Sequence, residues 1–116
     1  MIEVVIVKRP GGPVVEIKVI GHSGYAPSGS DIVCAAVSAI VQTAILGLKN
    51  VPGVDVKDRI GDGKLECRIV RATGAGAQCQ VDAITTTMVL GLKDIEKSYG
   101  EYVQVRIRDI SEVSSR

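Results

Sequence analysis

The chain contains no phenylalanine and no tryptophan, and its whole aromatic content is Tyr25, Tyr99 and Tyr102. A core without large rings must be filled by Val, Ile, Leu and Ala, and nucleic-acid bases would find little to stack on. An excess of charge of either sign is lacking: 14 Lys and Arg against 13 Asp and Glu leave a net charge of +1. That balance supplies no broad electrostatic footprint, so direct nucleic-acid binding is not expected, although a local basic patch stays open. Metal donors are scarce too. One histidine and three dispersed cysteines lack the paired spacing of a zinc centre, so neither metal nor cofactor is expected. Cys34, Cys67 and Cys79 are an odd number and read as free thiols of a reducing cytoplasm. The start, Met1-Ile2-Glu3-Val4-Val5, reads as a strand rather than as an export signal.

What is present is 116 residues, 46% of them hydrophobic and 23% charged, enough for one core. The expected organisation is a single domain over 1–110 and a mobile polar tail over 111–116. Residues 2–9 and 14–20 are rich in Val and Ile around Pro10-Gly11-Gly12-Pro13, which predicts a hairpin. From Ser30, a fitting N-cap, a run of small and apolar residues reaches Lys49 and predicts a helix buried on nearly every side. Ser38, Gln42 and Thr43 interrupt that run short of the roughly 20 residues a bilayer requires, so no membrane span is expected.

A second hairpin is predicted over 54–60 and 64–71 around Gly61-Asp62-Gly63, with Leu65, Cys67 and Ile69 on one face. A helix follows from about 77 to 98, carrying the stripe Val81, Ile84, Met88, Leu92 and Ile95, and then a strand over 102–108. The order ββαββαβ predicts an α+β fold: a mainly antiparallel sheet of about five strands with two helices on one face. Leu46-Gly47-Leu48-Lys49-Asn50 resembles Leu90-Gly91-Leu92-Lys93-Asp94, so a duplicated hairpin-helix unit is open.

The chemistry concentrates where the only histidine, His22, precedes Cys34 across a glycine-rich segment. A cysteine in the first turn or so of a helix feels its unpaired amides, and a nearby imidazole can take the thiol proton. Asp31 either orients His22, tunes the thiolate or merely serves as a helix-end charge. Ser38 lies one turn beyond Cys34 on the same face. Gly21, Gly24 and Gly29, with Tyr25 among them, read either as a movable lid or as a plain surface connection. Cys67 reads as core. Cys79 follows a glycine loop without a histidine, and neither glycine loop has a phosphate-binding motif.

Gly21-His22-Ser23-Gly24-Tyr25-Ala26 and Gly29, followed by Asp31-Ile32-Val33-Cys34-Ala35-Ala36-Val37-Ser38, resembles the ribosomal-processing cysteine protease Prp family. The resemblance implies a homodimeric cytoplasmic endopeptidase that removes the N-terminal extension of large-subunit ribosomal protein number twenty-seven. It also implies that His22 is the catalytic histidine and Cys34 the nucleophile. Asp31 and Ser38 match motif positions, and Gly21 and Gly24 match hinges of a lid. The family's substrates present apolar and aromatic residues before the cut, which Tyr25 and the loop wall would receive. The competing reading is a non-enzymatic ribosome-assembly module that binds a protein tail by strand addition.

Overall fold

A computed structural model describes residues 1–21, 28–61 and 63–112, with 28–31 described by their backbone alone. The elements follow the expected order: β1 (Ile2–Lys8), β2 (Val14–Ile20), α1 (Ser28–Lys49), β3 (Val54–Gly61), β4 (Lys64–Ala72), α2 (Ala75–Tyr99) and β5 (Val103–Asp109). A single 3-10 turn, Ile110–Glu112, takes up the start of the segment expected to be a tail. Residues 113–116 lie outside the described residues.

The strands form one sheet in the order β3-β4-β2-β1-β5. Three ladders are antiparallel, but β5 pairs with β1 in parallel, so the sheet is mixed. The cause lies in the connections. From β2 the chain passes through α1 to β3, and from β4 through α2 to β5; each helix therefore links two parallel strands. Such crossovers are right-handed. Because β2 and β4 run in opposite senses and the two crossovers move in opposite directions across the sheet, both helices arrive on the same face.

That face holds the core. Ile2, Val4 and Ile6 of β1, Ile17 of β2, and Leu65 and Cys67 of β4 pack against Val33, Val37, Val41 and Leu48 of α1 and Val81, Met88 and Leu92 of α2. Leu65, Cys67 and Ile69 share this face, as their alternation predicts. In the expected stripe of α2, Val81, Met88 and Leu92 are fully buried while Ile84 and Ile95 are partly so. Thr85 is buried among them, its hydroxyl donating to the carbonyl of Val81 at 2.9 Å, as a threonine in a helix can.

α1 departs from expectation in two respects. It begins at Ser28, so Ser30 lies within its first turn and is not its cap. It is also one-sided: Ile32 and Leu46 remain 66% and 62% exposed, since among the described residues no third layer covers the helix pair. Its high hydropathy thus serves a sheet-facing stripe and a flank against α2.

Two side chains fasten helix ends to the sheet edges. Lys49, at the end of α1, forms an ion pair with Asp58 of β3 at 2.8 Å. Glu96, near the end of α2, accepts a hydrogen bond from the backbone N–H of Val105 at 2.7 Å, occupying a donor on the outer edge of β5.

Candidate active site

Strand β2 ends at Ile20, and the next residue is fixed in place. Gly21 has φ +100°, and its N–H donates to the carbonyl of Gly63 at 2.9 Å. A Cβ at this position would stand 2.5 Å from the carbonyl oxygen of Met1, so only glycine fits without moving the chain terminus. Gly21 is therefore a pinned root for the segment that follows, held between the ends of β1 and the β3-β4 turn. His22, Gly24 and Tyr25 lie outside the described residues.

The backbone is described again from Ser28, where α1 starts. Gly29 is helical, in the first turn of α1 rather than in the loop, and Asp31 closes that turn. The sequence signal for the early start is Pro27, a residue suited to a helix entrance because its missing N–H is not needed there.

Cys34 is the seventh residue of α1, one turn deeper than expected, and is half-buried. Helical side chains lean toward the N-terminus, which carries the sulfur back over residues 30 and 31. The unbonded amides belong to the first turn, and the field of a helix end decays within that turn. Cys34 thus stands further from the unbonded amides than a start at Ser30 implies. Ser38 stands one turn further on, its Oγ accepting a hydrogen bond from Nε2 of Gln42 at 2.7 Å. The serine hydroxyl is held by a residue that sequence reading passed over, although the i, i+4 spacing was visible.

The other thiols differ. Cys67 is fully buried, and burial pushes its pKa up from 9.0 to about 11, so it stays protonated at neutral pH. Cys79 is exposed near the start of α2. By the offset between the two glycine-leucine repeats, the counterpart of Cys34 is not Cys79 but Gln78, whose Nε2 donates to Asp82 at 2.8 Å. Where the first repeat has Cys34 and Ser38, the second carries an inert amide-carboxylate pair.

Comparison with known proteins adds an independent line. A family model described as Cysteine protease Prp matches residues 1–104. The ribosomal processing cysteine protease Prp of Staphylococcus aureus (strain Mu50) is 31% identical over 112 residues, which cover 93% of this chain and 100% of that protein. The crystal structure of S. aureus Prp with a covalently linked product peptide superposes with a TM-score of 0.76 at 27% identity, covering 93% and 100% of the two chains. The fold is shared as well by SMU.848 of Streptococcus mutans, with a TM-score of 0.76 at 23% identity over 94% and 95% of the chains.

Proposed function

This chain belongs to the Prp family of cysteine proteases, and on that premise we propose that it removes the short N-terminal extension of large-subunit ribosomal protein number twenty-seven, with Cys34 as nucleophile and His22 as base. The observation that carries the assignment to Cys34 is its placement. It is half-buried on the helix entered from pinned Gly21, whose next residue is His22. Cys67 is sealed in the core, and Cys79 stands in the repeat that has no histidine.

In the proposed reaction the Cys34 proton passes to the His22 imidazole, and the sulfur forms a bond to the scissile carbonyl carbon. The carbonyl electrons move onto oxygen. Collapse of this tetrahedral adduct breaks the C–N bond as His22 returns the proton to the departing amine. Water then attacks the thioester, giving a proton to His22, and expulsion of the thiolate restores the enzyme. The covalently linked product peptide in the S. aureus relative supports a covalent route. Asp31 is proposed to orient His22, and Ser38 to modulate the site from one turn away.

We also propose that the enzyme works in the cytoplasm as a homodimer. An apolar cleft of about 720 Å³ runs between α1 and α2, lined by residues such as Ile40, Thr43, Gly47, Ile84 and Gly91. Leu46 and Leu90 stand nearby, 62% and 64% exposed. An apolar surface of this kind suits a second copy of the chain.

The test is incubation with the extended ribosomal protein and mass measurement of the products. Wild type is expected to release the extension, whereas Cys34→Ala and His22→Ala leave it attached. Normal processing by Cys34→Ala would dismiss the mechanism, and a wild type that binds the extended protein without cleaving it would favour the non-enzymatic binding module.

A further inference from the structure

The sheet face turned away from the helices is laid out by strand register in two transverse rows. One runs Lys57 on β3, Arg68 on β4 and Glu16 on β2 and ends with Arg108 on β5; the other runs Arg59, Glu66 and Lys18 and ends with Arg106. The corresponding β1 positions are Val7 and Val5, so a low apolar floor interrupts each row before its β5 end.

The acids of this face leave its sign unchanged. Glu3 is paired with Arg106 at 3.0 Å. Glu66 is held by Lys64 at 2.8 Å, and this hydrogen bond, with the fields of Lys18 and Arg59, keeps its carboxyl below the usual range. Glu16 is 4% exposed and sits in the first row beside Arg68, so the bases of that row outnumber its acid by three to one. Lys57, Arg59, Arg68 and Arg108, by contrast, are exposed. A concavity of about 830 Å³ opens here, lined by Lys18, Lys57, Arg59 and Arg68 together with the acids Glu16, Asp58 and Glu66. The net charge of +1 for the whole chain therefore conceals a basic excess on this face.

We infer that this face binds duplex RNA through its phosphates. The positive ends of each row stand on the two edge strands, separated by four strand spacings, about 19 Å. That width suits phosphates on two strands bordering the wide, shallow minor groove of A-form RNA. Neither row contains an aromatic side chain, so single strands find no stacking platform. The charge layout stands by itself; the choice of RNA as the polyanion rests on the proposed ribosomal role.

The experiment measures anisotropy of a labelled RNA duplex and of a labelled single strand of equal length with the Cys34→Ala chain. Duplex binding is expected to exceed single-strand binding and to fall by about 10²-fold between about 50 and about 200 mM salt. The triple change Lys57→Gln, Arg68→Gln and Arg108→Gln, made in the same background, is expected to weaken duplex binding at least tenfold and to lower the salt slope by about 3. Placed in the active chain, the triple change is expected to leave cleavage of a short peptide within about twofold, because these residues lie across the sheet from Cys34. Failure of the wild-type face to prefer duplex, or undiminished binding by the triple variant, overturns the inference. Duplex binding by a chain that cleaves no peptide would instead count against the protease assignment.

Discussion

Gly47 of α1 and Ile84 of α2 are packed so closely that a Cβ built on the glycine would stand 3.4 Å from Cδ1 of the isoleucine. Gly91 and Ile40 repeat the relation at the same 3.4 Å with the helices exchanged. Each partner is displaced along the chain by 44 residues, the offset of the two Leu-Gly-Leu-Lys motifs. With β2 and β4 paired antiparallel at the centre of the sheet, the two hairpin-helix units form an internal twofold arrangement, to which β5 is an addition.

The reciprocal contact fixes how much side chain each glycine position admits. Gly47→Ala is expected to fit and to raise stability by about 0.5–1 kcal/mol through helix propensity. Gly47→Val is expected to push on Ile84 and to cost about 1–3 kcal/mol. Gly91 should give the same pair of signs against Ile40. Urea unfolding of the four variants checks the symmetry; opposite signs at the two sites would refute it.

Gly21 admits no such latitude. Gly21→Ala combines a positive φ, costing about 1–3 kcal/mol, with a collision against the Met1 carbonyl. Both unfolding midpoint and kcat/KM are expected to drop, because the displaced root carries His22. A variant as stable and active as wild type would mean that Gly21 is not the anchor of the site.

Cys67 predicts a specific alkaline weakness. Below pH 9 both folded and unfolded chains keep the thiol proton, so this group adds no slope there. Above that, the unfolded chain releases the proton while the folded chain retains it until about 11, and stability declines across the window. Cys67→Ala removes the group. The stability gap between wild type and this variant should therefore narrow from about pH 8 to about pH 10.5, as measured by urea midpoints. In the folded chain at pH 8, a thiol alkylator should label Cys34 and Cys79 while sparing Cys67.

Asp31 and Ser38 are expected to matter less than the sulfur. Asp31→Asn should lower kcat/KM by about tenfold, or about 1.4 kcal/mol, against loss to background for Cys34→Ala. Ser38→Ala should have a smaller effect, as it frees Gln42 without removing a reacting group. Equal loss in Asp31→Asn with the fold intact would place Asp31 in the catalytic set.

Element order and the sheet-facing stripes were legible because hydrophobic periodicity is local: Leu65, Cys67 and Ile69 alternate in the sequence as they do in the sheet. The parallel docking of β5 was not. Its alternation of Val103, Val105 and Ile107 suits either direction, and only the long-range crossover through α2 decides. The motif residues of the site were also readable, but their geometry was less so. The extra turn before Cys34 depends on where α1 starts, and a serine that resembles a cap at residue 30 concealed a start at Ser28. The basic excess of the outer sheet face was invisible for a similar reason: Lys57, Arg68 and Arg108 are scattered in sequence and join one row, with Glu16 among them, only through register.

The carboxylate of Glu96 on the Val105 N–H makes the two margins of the sheet unequal. A visiting strand meets an occupied donor at one margin, while the opposite margin is β3. A strand joining at β5 must displace Glu96 from the Val105 N–H before its ladder can close there, which biases any sheet-to-sheet growth away from that margin.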